Sequence, residues 1–307
     1  MVDSLASFGR LLRAGLTLAR HDAILPAEYQ SLYPAPARWA GAVMRVFRRR
    51  DLAENPGERL ARALEKLGPS YVKFGQILAT RGDVIGERFA RGLARLQDRM
   101  PAFGDEEARA VLADELGMPV NDAFSEFGPP VAAASIAQVH KATTPDGAVV
   151  AVKILRPDIE QRMARDIRTL TLGASLAERF APASRRLEPK KVVETVSRSL
   201  TVETDLRLEA ASASELGEAA AVAEGYHIPT VDWTRSTRRV LVTQWIDGIA
   251  LSDIDAIAES GIDRPALATR LTRAFLATAL DRGVFHADMH GGNLFARTDD
   301  TVWAVDF

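Results

Sequence analysis

Strand-like segments alternate with long helical segments along this chain, and that order is what most constrains the fold. The spacing of apolar residues predicts a largely helical region over 56–116 and then strands around a Pro145-Asp146-Gly147 turn, the last of them over 148–153. Beyond it, the same criteria predict helices over about 157–180 and 188–222, strands over 227–233 and 239–245, a helix over about 252–282 and a strand over 301–307. The chain is therefore expected to contain both helices and strands.

Composition excludes several classes of chemistry. The 307 residues contain no cysteine, which rules out disulfides, thiolate metal sites and a cysteine nucleophile. With 39 basic against 41 acidic residues, the net charge of −2 does not favour nucleic-acid binding. No uncharged apolar run reaches the roughly 18–20 residues of a membrane-spanning helix, and the N-terminus lacks the order of a secretory signal. We therefore expect no spanning segment in residues 1–307 and a cytoplasmic location.

The N-terminal 50 residues are basic, with eight arginines against three acids. Residues 4–20 predict an amphipathic helix, whose apolar residues near one face are Leu5, Phe8, Leu11, Leu12 and Leu16. Such a helix either packs against the rest of its domain or lies on an anionic membrane surface, and the sequence leaves both alternatives open.

A lysine at the end of an apolar strand is the first feature that points to nucleotide chemistry. Lys153 ends the run Val150-Ala151-Val152, like the phosphate-pairing lysine of the V-A-I-K pattern. Upstream, a segment has the spacing of a glycine-rich phosphate loop with alanine at each glycine position. Its candidate nucleotide-binding residues are Val131, Ala132, Ala133, Ala134, Ser135, Ile136, Ala137, Gln138 and Val139. Because alanine disfavours positive φ, we expect this loop to approach phosphate less freely than a glycine loop does.

The most specific pattern is Phe285-His-Ala-Asp-Met-His-Gly-Gly-Asn-Leu294, followed by Val-Asp-Phe at the end of the chain. It has the spacing of a kinase catalytic loop and of the metal-binding Asp-Phe that follows it. The pattern predicts Asp288 as the catalytic aspartate and Asn293 and Asp306 as oxygen ligands of the Mg²⁺ that accompanies ATP. A zinc site at His286 and His290 is the weaker alternative, since a third ligand is not evident and glycines follow. His286 is better interpreted as a structural residue of the loop.

An ATP-binding lysine of this kind needs a glutamate partner. The helical segment Glu203-Thr-Asp-Leu-Arg-Leu-Glu209 offers two, which lie 50 and 56 residues after Lys153. This spacing is long for a kinase and predicts an inserted helix. The sequence does not decide between Glu203 and Glu209.

Together these residues resemble the UbiB family of atypical, protein-kinase-like proteins. The resemblance covers roughly residues 55–307 and includes Lys73-Phe-Gly-Gln76, similar to the K-x-G-Q motif of the family's N-terminal extension. The alanine-rich loop, Glu203-Thr-Asp205 (the E-x-D motif) and HADMHGGN (compare HADPHPGN) also match, although Met289 stands where the family motif has a proline.

The resemblance implies roles for individual residues. Lys73 and Gln76 become inhibitory or nucleotide-gating groups, and Glu203 and Asp205 become acids that contact the extension. Lys153 and Asp288 become the catalytic pair, with Glu209 as the favoured partner of Lys153. The implied fold is a protein-kinase-like α+β fold, with an N-terminal helical extension (1–125), a small lobe carrying a helical insertion (126–247) and an incomplete C-lobe (248–307).

The resemblance also implies a function. We expect an ATP- and Mg²⁺-dependent atypical kinase or ATPase that supports ubiquinone biosynthesis at the cytoplasmic face of the inner membrane. Its expected partners are prenylated quinone precursors or other lipids and the other enzymes of ubiquinone biosynthesis. Two alternatives are a polyprenylphenol hydroxylase, for which no flavin fingerprint is present, and a nucleotide-binding scaffold without turnover. Because the chain stops at Phe307, before the rest of the family's helical lobe, we expect a fragment that expresses poorly and exposes apolar surface.

Overall fold

The computed structural model describes residues 2–23, 55–80, 82–94, 96, 101–180, 185 and 188–307. It divides into two compact units, the first formed by Met1–Met100, Ala134–Ile136 and Asp158–Val202 and the second by Pro101–Ala133, Ala137–Pro157 and Glu203–Phe307. The predicted three-segment division remains a prediction. The arginine cluster at 48–50 lies outside the described residues, as do Arg38 and Arg45.

The first unit is helical. Its helices are α1 (Val2–Arg20), α2 (Pro56–Leu67), α3 (Pro69–Ala79), α4 (Gly82–Ile85), α5 (Glu87–Leu93), α8 (Ile159–Phe180) and most of α9 (Pro189–Glu203). Its core is built from α1, α2, α3 and α5 around Leu64, Tyr71 and Leu93. The predicted amphipathic helix is present as α1, and it buries Ala14 and Ala19 while Phe8, Leu12 and Leu16 are exposed. Packing of α1 against the rest of its domain therefore does not explain why these three residues are apolar.

The second unit contains two four-stranded sheets. Its elements are α6 (Asp105–Leu116), α7 (Val120–Ala123), β1 (Glu126–Ala133), β2 (Ala137–Thr143), β3 (Val149–Leu155), α10 (Leu206–Ala220), β4 (Tyr226–His227), β5 (Val240–Gln244), β6 (Ile249–Ala250), α11 (Ile254–Glu259), α12 (Arg264–Ala277), a π-helical turn (Thr278–Arg282), β7 (Leu294–Ala296) and β8 (Val302–Ala304). One sheet has the order β1-β2-β3-β5 and is antiparallel; the other has the order β4-β8-β7-β6. Each sheet buries one face against helices, the first against α6 and α7 and the second against α10, α11 and α12.

Four predicted elements are shorter or more broken than the sequence suggested. The helix over 188–222 stops at Glu203 and restarts at Leu206, because the Asp205 side chain caps the new helix by accepting the Arg207 amide hydrogen. The helix over 252–282 breaks at Gly261, which has a φ of +76°.

The two strand predictions that were too long have separate causes. Over 227–233 only β4 forms, followed by an isolated bridge from Val231 to Thr243, since Pro229 has no amide hydrogen to donate to a ladder. Over 301–307 the strand ends at Ala304, and Asp306 has a φ of +67°, outside the range of an extended strand.

No helix in the described part of the chain combines the length and apolar character needed to cross a bilayer.

The α2 and α5 helices cross where each has a glycine. A Cβ added at Gly92 would lie 2.5 Å from the Cα of Gly57, and these backbone atoms have no flexible group that could move aside. We expect Gly92→Ala to lower the free energy of unfolding by about 1–3 kcal/mol, measured by urea denaturation. The control is Gly9→Ala on α1, where an added Cβ meets nothing within 4 Å. It should leave stability unchanged or raise it by about 0.5–1 kcal/mol. Equal effects of the two substitutions would contradict the close crossing.

Candidate functional site

Lys153 lies on β3 of the second unit, on the face of the sheet opposite the apolar core. Its neighbours Val152 and Ile154 are fully buried, and side chains alternate between the two faces of a strand. Lys153 is therefore held on the other face, about one fifth exposed, by a strand that the core fixes in register.

Two carboxylates, Glu209 and Asp306, surround the Lys153 ammonium. Its Nζ atom lies 2.7 and 2.8 Å from the two carboxylate oxygens of Glu209 and 2.6 Å from Oδ1 of Asp306. An ammonium group has three hydrogens to donate, and here each has an acceptor. A phosphate oxygen that binds Lys153 must therefore replace one of these carboxylate oxygens. Asp306 is the one more easily displaced, because its side chain is 54% exposed and that of Glu209 only 15%.

The electrostatics favour the charged forms of Lys153 and Asp306, whereas burial raises the pKa of the Glu209 carboxyl. Burial by itself lowers the pKa of the Lys153 ammonium, but the charges of Glu209 and Asp306 outweigh it and hold that pKa above its ordinary value. The Lys153 charge is in turn the main reason that the pKa of Asp306 lies below its ordinary value. At neutral pH the site therefore presents a fixed cation with an ionised, displaceable carboxylate beside it.

The break between α9 and α10 determines which glutamate reaches Lys153. Because Asp205 caps α10, Glu209 falls in the first turn of that helix, where the helix dipole favours a carboxylate. Glu203 is instead the last residue of α9. Of the two glutamates that the sequence offered as partners of Lys153, the structure places Glu209 in contact with it.

His286 holds the segment that contains Asp288. Its imidazole is buried, with Nε2 donating to the Val305 carbonyl at 3.0 Å and Nδ1 accepting the Asp288 amide hydrogen at 3.1 Å. The ring also contacts that of Phe307, with 5.1 Å between the ring centroids. Both ring nitrogens are thus used by the backbone, and the described residues include no cluster of three or more His, Asp or Glu that could hold a metal. These contacts give no support to a zinc site.

Asn293 connects Asp288 to Asp306. Its side-chain Nδ2 donates to the Asp288 carbonyl at 3.2 Å, and its own carbonyl accepts the Val305 amide hydrogen at 2.9 Å. The second contact continues the β7–β8 ladder and brings Asn293 next to the residue that precedes Asp306. Because the nitrogen end of the Asn293 amide is committed to the loop, its oxygen is the end available to a cation.

The side-chain oxygens of Asn293 and Asp306 fit Mg²⁺. This ion prefers oxygen ligands and is usually held by one or two protein groups together with substrate phosphates. Asp306 adds a second sign of function, since a non-glycine residue with a φ of +67° is uncommon and such conformations cluster at functional sites.

Asp288 presents its carboxylate to solvent. Its side chain is 68% exposed, and Nε2 of His290 lies 3.8 Å from its Oδ2. The backbone of Asp288 is held on both sides by the contacts to His286 and Asn293. A carboxylate on a fixed backbone and open to solvent is arranged to meet an incoming hydroxyl or water.

The alanine-rich segment lies at the β1–β2 connection. Val139 pairs with Lys153 across the ladder, which attaches the start of β2 to the site. No residue from Val131 to Val139 has a positive φ, so the alanines there are not strained. Gln138 pairs with Ile154 across the ladder, on the core face of the sheet. Its side-chain Oε1 accepts the Phe103 amide hydrogen at 2.9 Å, and its Nε2 lies 2.8 Å from Nε2 of His140. Its side chain thus has a structural use that the sequence did not indicate.

The K-x-G-Q residues belong to the first unit, on α3. Lys73 and Gln76 are half-buried there, and a Cβ added at Gly75 would lie within 2.6 Å of side-chain atoms of Leu64 and Leu96. The glycine of the motif is therefore explained by packing. The regulatory roles of Lys73, Gln76, Glu203 and Asp205 remain predictions.

Sequence reasoning missed the π-helical turn that precedes the Asp288 loop. It runs from Thr278 to Arg282 and ends at Gly283, which has a φ of +70°. The Thr278 hydroxyl donates to the carbonyls of Ala274 and Phe275, and Phe275 packs edge-on against Phe285. Gly283 was the only local indication of this turn, and π-helical turns frequently accompany functional sites.

Comparison with known proteins gives consistent results. Residues 95–307 match the family model described as "ABC1 atypical kinase-like domain". The "Probable protein kinase UbiB" of Marinobacter nauticus is 41% identical over 256 residues, which are 82% of this chain and 47% of that protein. The protein of the same name from Xanthomonas campestris is 41% identical over 253 residues, 80% of this chain and 45% of that protein. The chain thus spans about half the length of these curated relatives.

A solved structure shares the fold. The Rv3197–erythromycin complex from Mycobacterium tuberculosis superposes with a TM-score of 0.58 at 26% identity, over 89% of this chain and 66% of that one. The expected resemblance and the predicted kinase-like α+β fold are both confirmed. The chain therefore belongs to the family of ABC1 atypical kinase-like domains.

Proposed function

We propose that this chain binds ATP and forms the nucleotide site of an atypical kinase or ATPase that supports ubiquinone biosynthesis. The observation that carries the proposal is the contact of the Lys153 ammonium with Glu209 and the displaceable Asp306, next to Asn293. Binding of a polyphosphate requires a lysine held in place by a glutamate, and it requires oxygen ligands for the accompanying cation nearby.

Each residue has a separate task in this proposal. Lys153 pairs with phosphate oxygens, and Glu209 holds the ammonium in place while Asp306 moves from the lysine toward the cation site. Bound Mg²⁺, held by Asn293 and Asp306, would supply charge neutralisation on the phosphates. Asp288 orients the hydroxyl or water that attacks the terminal phosphate and accepts its proton, while the bond from the terminal phosphorus to the bridging oxygen breaks and ADP leaves.

The substrate class is a further part of the proposal. The names of the curated relatives and the UbiB-like motifs support a role in which ATP is used to act on, or to mobilise, prenylated lipid precursors of ubiquinone. The other enzymes of that pathway and the cytoplasmic face of the inner membrane are the proposed surroundings. The exposed Phe8 and Leu12 of the basic helix α1 are compatible with a membrane surface. A hydroxylase function has no comparable observation in its favour among the described residues.

Replacing Lys153 tests the nucleotide site. We expect Lys153→Met to weaken binding of ATP in the presence of Mg²⁺ by at least about tenfold, measured by titration calorimetry, because a charge-assisted contact to phosphate is lost. Lys141→Met is the matched control, since Lys141 lies on the neighbouring strand β2 and has a half-exposed side chain. It should bind ATP like the wild type. If both variants bind equally, or if the wild-type chain does not bind ATP, the proposal fails.

A further inference from the structure

A second charged cavity lies within the first unit, between α1, the junction of α2 and α3, and α8. Its volume is about 590 Å³, within the range of ligand sites in proteins. Six permanently cationic side chains line it and only one acid, Asp166. The cations are Arg10, Arg13, Arg20, Lys66, Arg162 and Arg165.

These six cations share a single lining carboxylate, Asp166, whose charge interacts with Arg10, Arg162 and Arg165. Among the described residues, none of them forms an ion pair within 4 Å, whereas other surface cations such as Lys190 and Arg235 do. Asp166 instead accepts a hydrogen bond from the Ser70 hydroxyl at 3.0 Å, and burial raises the pKa of its carboxyl. One acid does not balance six cations, so the cavity lining has an excess of positive charge.

The cavity has a fixed floor and an open rim. Tyr71 and His21 are buried at the floor, and the His21 imidazole is bonded at both nitrogens, to the Thr17 carbonyl at 2.9 Å and to the Lys66 ammonium at 3.3 Å. The contact with this buried ring places the Lys66 ammonium at the cavity wall. The side chains of Arg13, Arg20 and Arg165 at the rim are exposed, so a ligand reaches the cavity from solvent.

We propose that this cavity binds the phosphate group of an organic phosphate. Five guanidinium groups around one cavity suit phosphate, whose oxygens accept paired hydrogen bonds from the planar guanidinium fork. The volume exceeds that of phosphate alone and leaves room for the substituent. This site is separate from the Lys153 site and does not depend on the proposed ATP chemistry.

Two sources supply this chemistry, a soluble phosphate ester and the headgroup of an anionic lipid. Leu16 lines the cavity and also belongs to the exposed apolar row of α1 with Phe8 and Leu12. A lipid would bring its headgroup to the arginines and its acyl region to this row. A soluble ester would use the arginines alone.

The test replaces three rim arginines in the full 307-residue chain. The cavity variant carries Arg13→Gln, Arg20→Gln and Arg165→Gln. The control variant removes the same charge at three exposed arginines of the first unit that do not line the cavity: Arg62→Gln, Arg91→Gln and Arg168→Gln. The probes are inorganic pyrophosphate, by calorimetry, and phosphatidylcholine vesicles with or without phosphatidylglycerol, by flotation. Circular dichroism verifies that both variants fold.

We expect the cavity variant to bind at least one probe at least about tenfold more weakly than the wild type, while the control variant binds nearly normally. Selective loss of pyrophosphate binding identifies a soluble ester. Selective loss of phosphatidylglycerol-dependent flotation, which Phe8→Ser and Leu12→Ser should also weaken, identifies a lipid headgroup. The proposal is overturned if neither probe binds the wild type or if both triple variants lose binding equally. It is also overturned if the only binding seen is of pyrophosphate and is lost in Lys153→Met but kept in the cavity variant.

Discussion

Replacing Asp306 by asparagine is expected to strengthen the binding of metal-free ATP about three- to tenfold and to abolish the gain in affinity that Mg²⁺ provides. Asp306 uses one hydrogen of the Lys153 ammonium and adds a negative charge where phosphates would enter. Asparagine removes the charge, and its amide oxygen is a weaker acceptor for the ammonium than a carboxylate oxygen. The exposure of Asp306 keeps the change moderate. The same substitution removes the charged ligand of the cation. The measurement is titration of ATP in EDTA and in Mg²⁺, for the variant and the wild type.

Asp281→Asn is a suitable control, because Asp281 is exposed in the same unit, in the π-helical turn. Among the described residues it forms no hydrogen bond or ion pair with Lys153, Asn293 or Asp306. It removes the same charge and should leave both affinities unchanged. The pKa of Asp306 is held low by Lys153, so the contrast should persist in mildly acidic buffer, until the pH falls toward the depressed pKa and the carboxylate is protonated. If Asp306→Asn keeps the wild-type ratio of affinities with and without Mg²⁺, Asp306 is not the cation ligand.

The sequence predicted the separate elements of the fold better than their ends. Lys153 was correctly expected on an apolar strand, because alternate burial of Val150, Val152 and Ile154 is a local pattern, but β3 continues past Lys153 to Leu155. The ends depended on single residues whose effect is not periodic: the cap at Asp205, the missing amide hydrogen of Pro229 and the left-handed backbone of Asp306. Hydrophobic periodicity contains no information about such positions.

The site was predictable as a set of residue types but not as a set of contacts. The sequence contained the spacing that singles out Asp288 and Asn293, yet it left Glu203 and Glu209 equivalent. That choice follows from where α10 begins. The contact between Lys153 and Asp306 joins residues 153 positions apart, and the basic cavity of the first unit joins α1 to α8 across a comparable separation. Long-range pairings of this kind require the tertiary structure.

Replacing Asp288 by asparagine is expected to lower the rate of ATP hydrolysis about 10²–10⁴-fold while leaving ATP affinity unchanged. This is the range that a positioned general base contributes. The fold should tolerate the change, because the backbone of Asp288 makes the bonds to His286 and Asn293 and its carboxylate is exposed. The measurements are phosphate release and calorimetric titration of ATP.

The same substitution separates catalysis from a scaffold function. In a strain whose only copy carries Asp288→Asn, ubiquinone content should fall as far as it does in the absence of the protein, because bound ATP is no longer turned over. Asp281→Asn, which removes a charge outside the loop, should leave ubiquinone content unchanged. Normal ubiquinone with Asp288→Asn, together with intact ATP binding, would instead mean that nucleotide occupancy alone is sufficient. The protein would then bind ATP through Lys153 without hydrolysing it, and Asp288 would not be a catalytic residue.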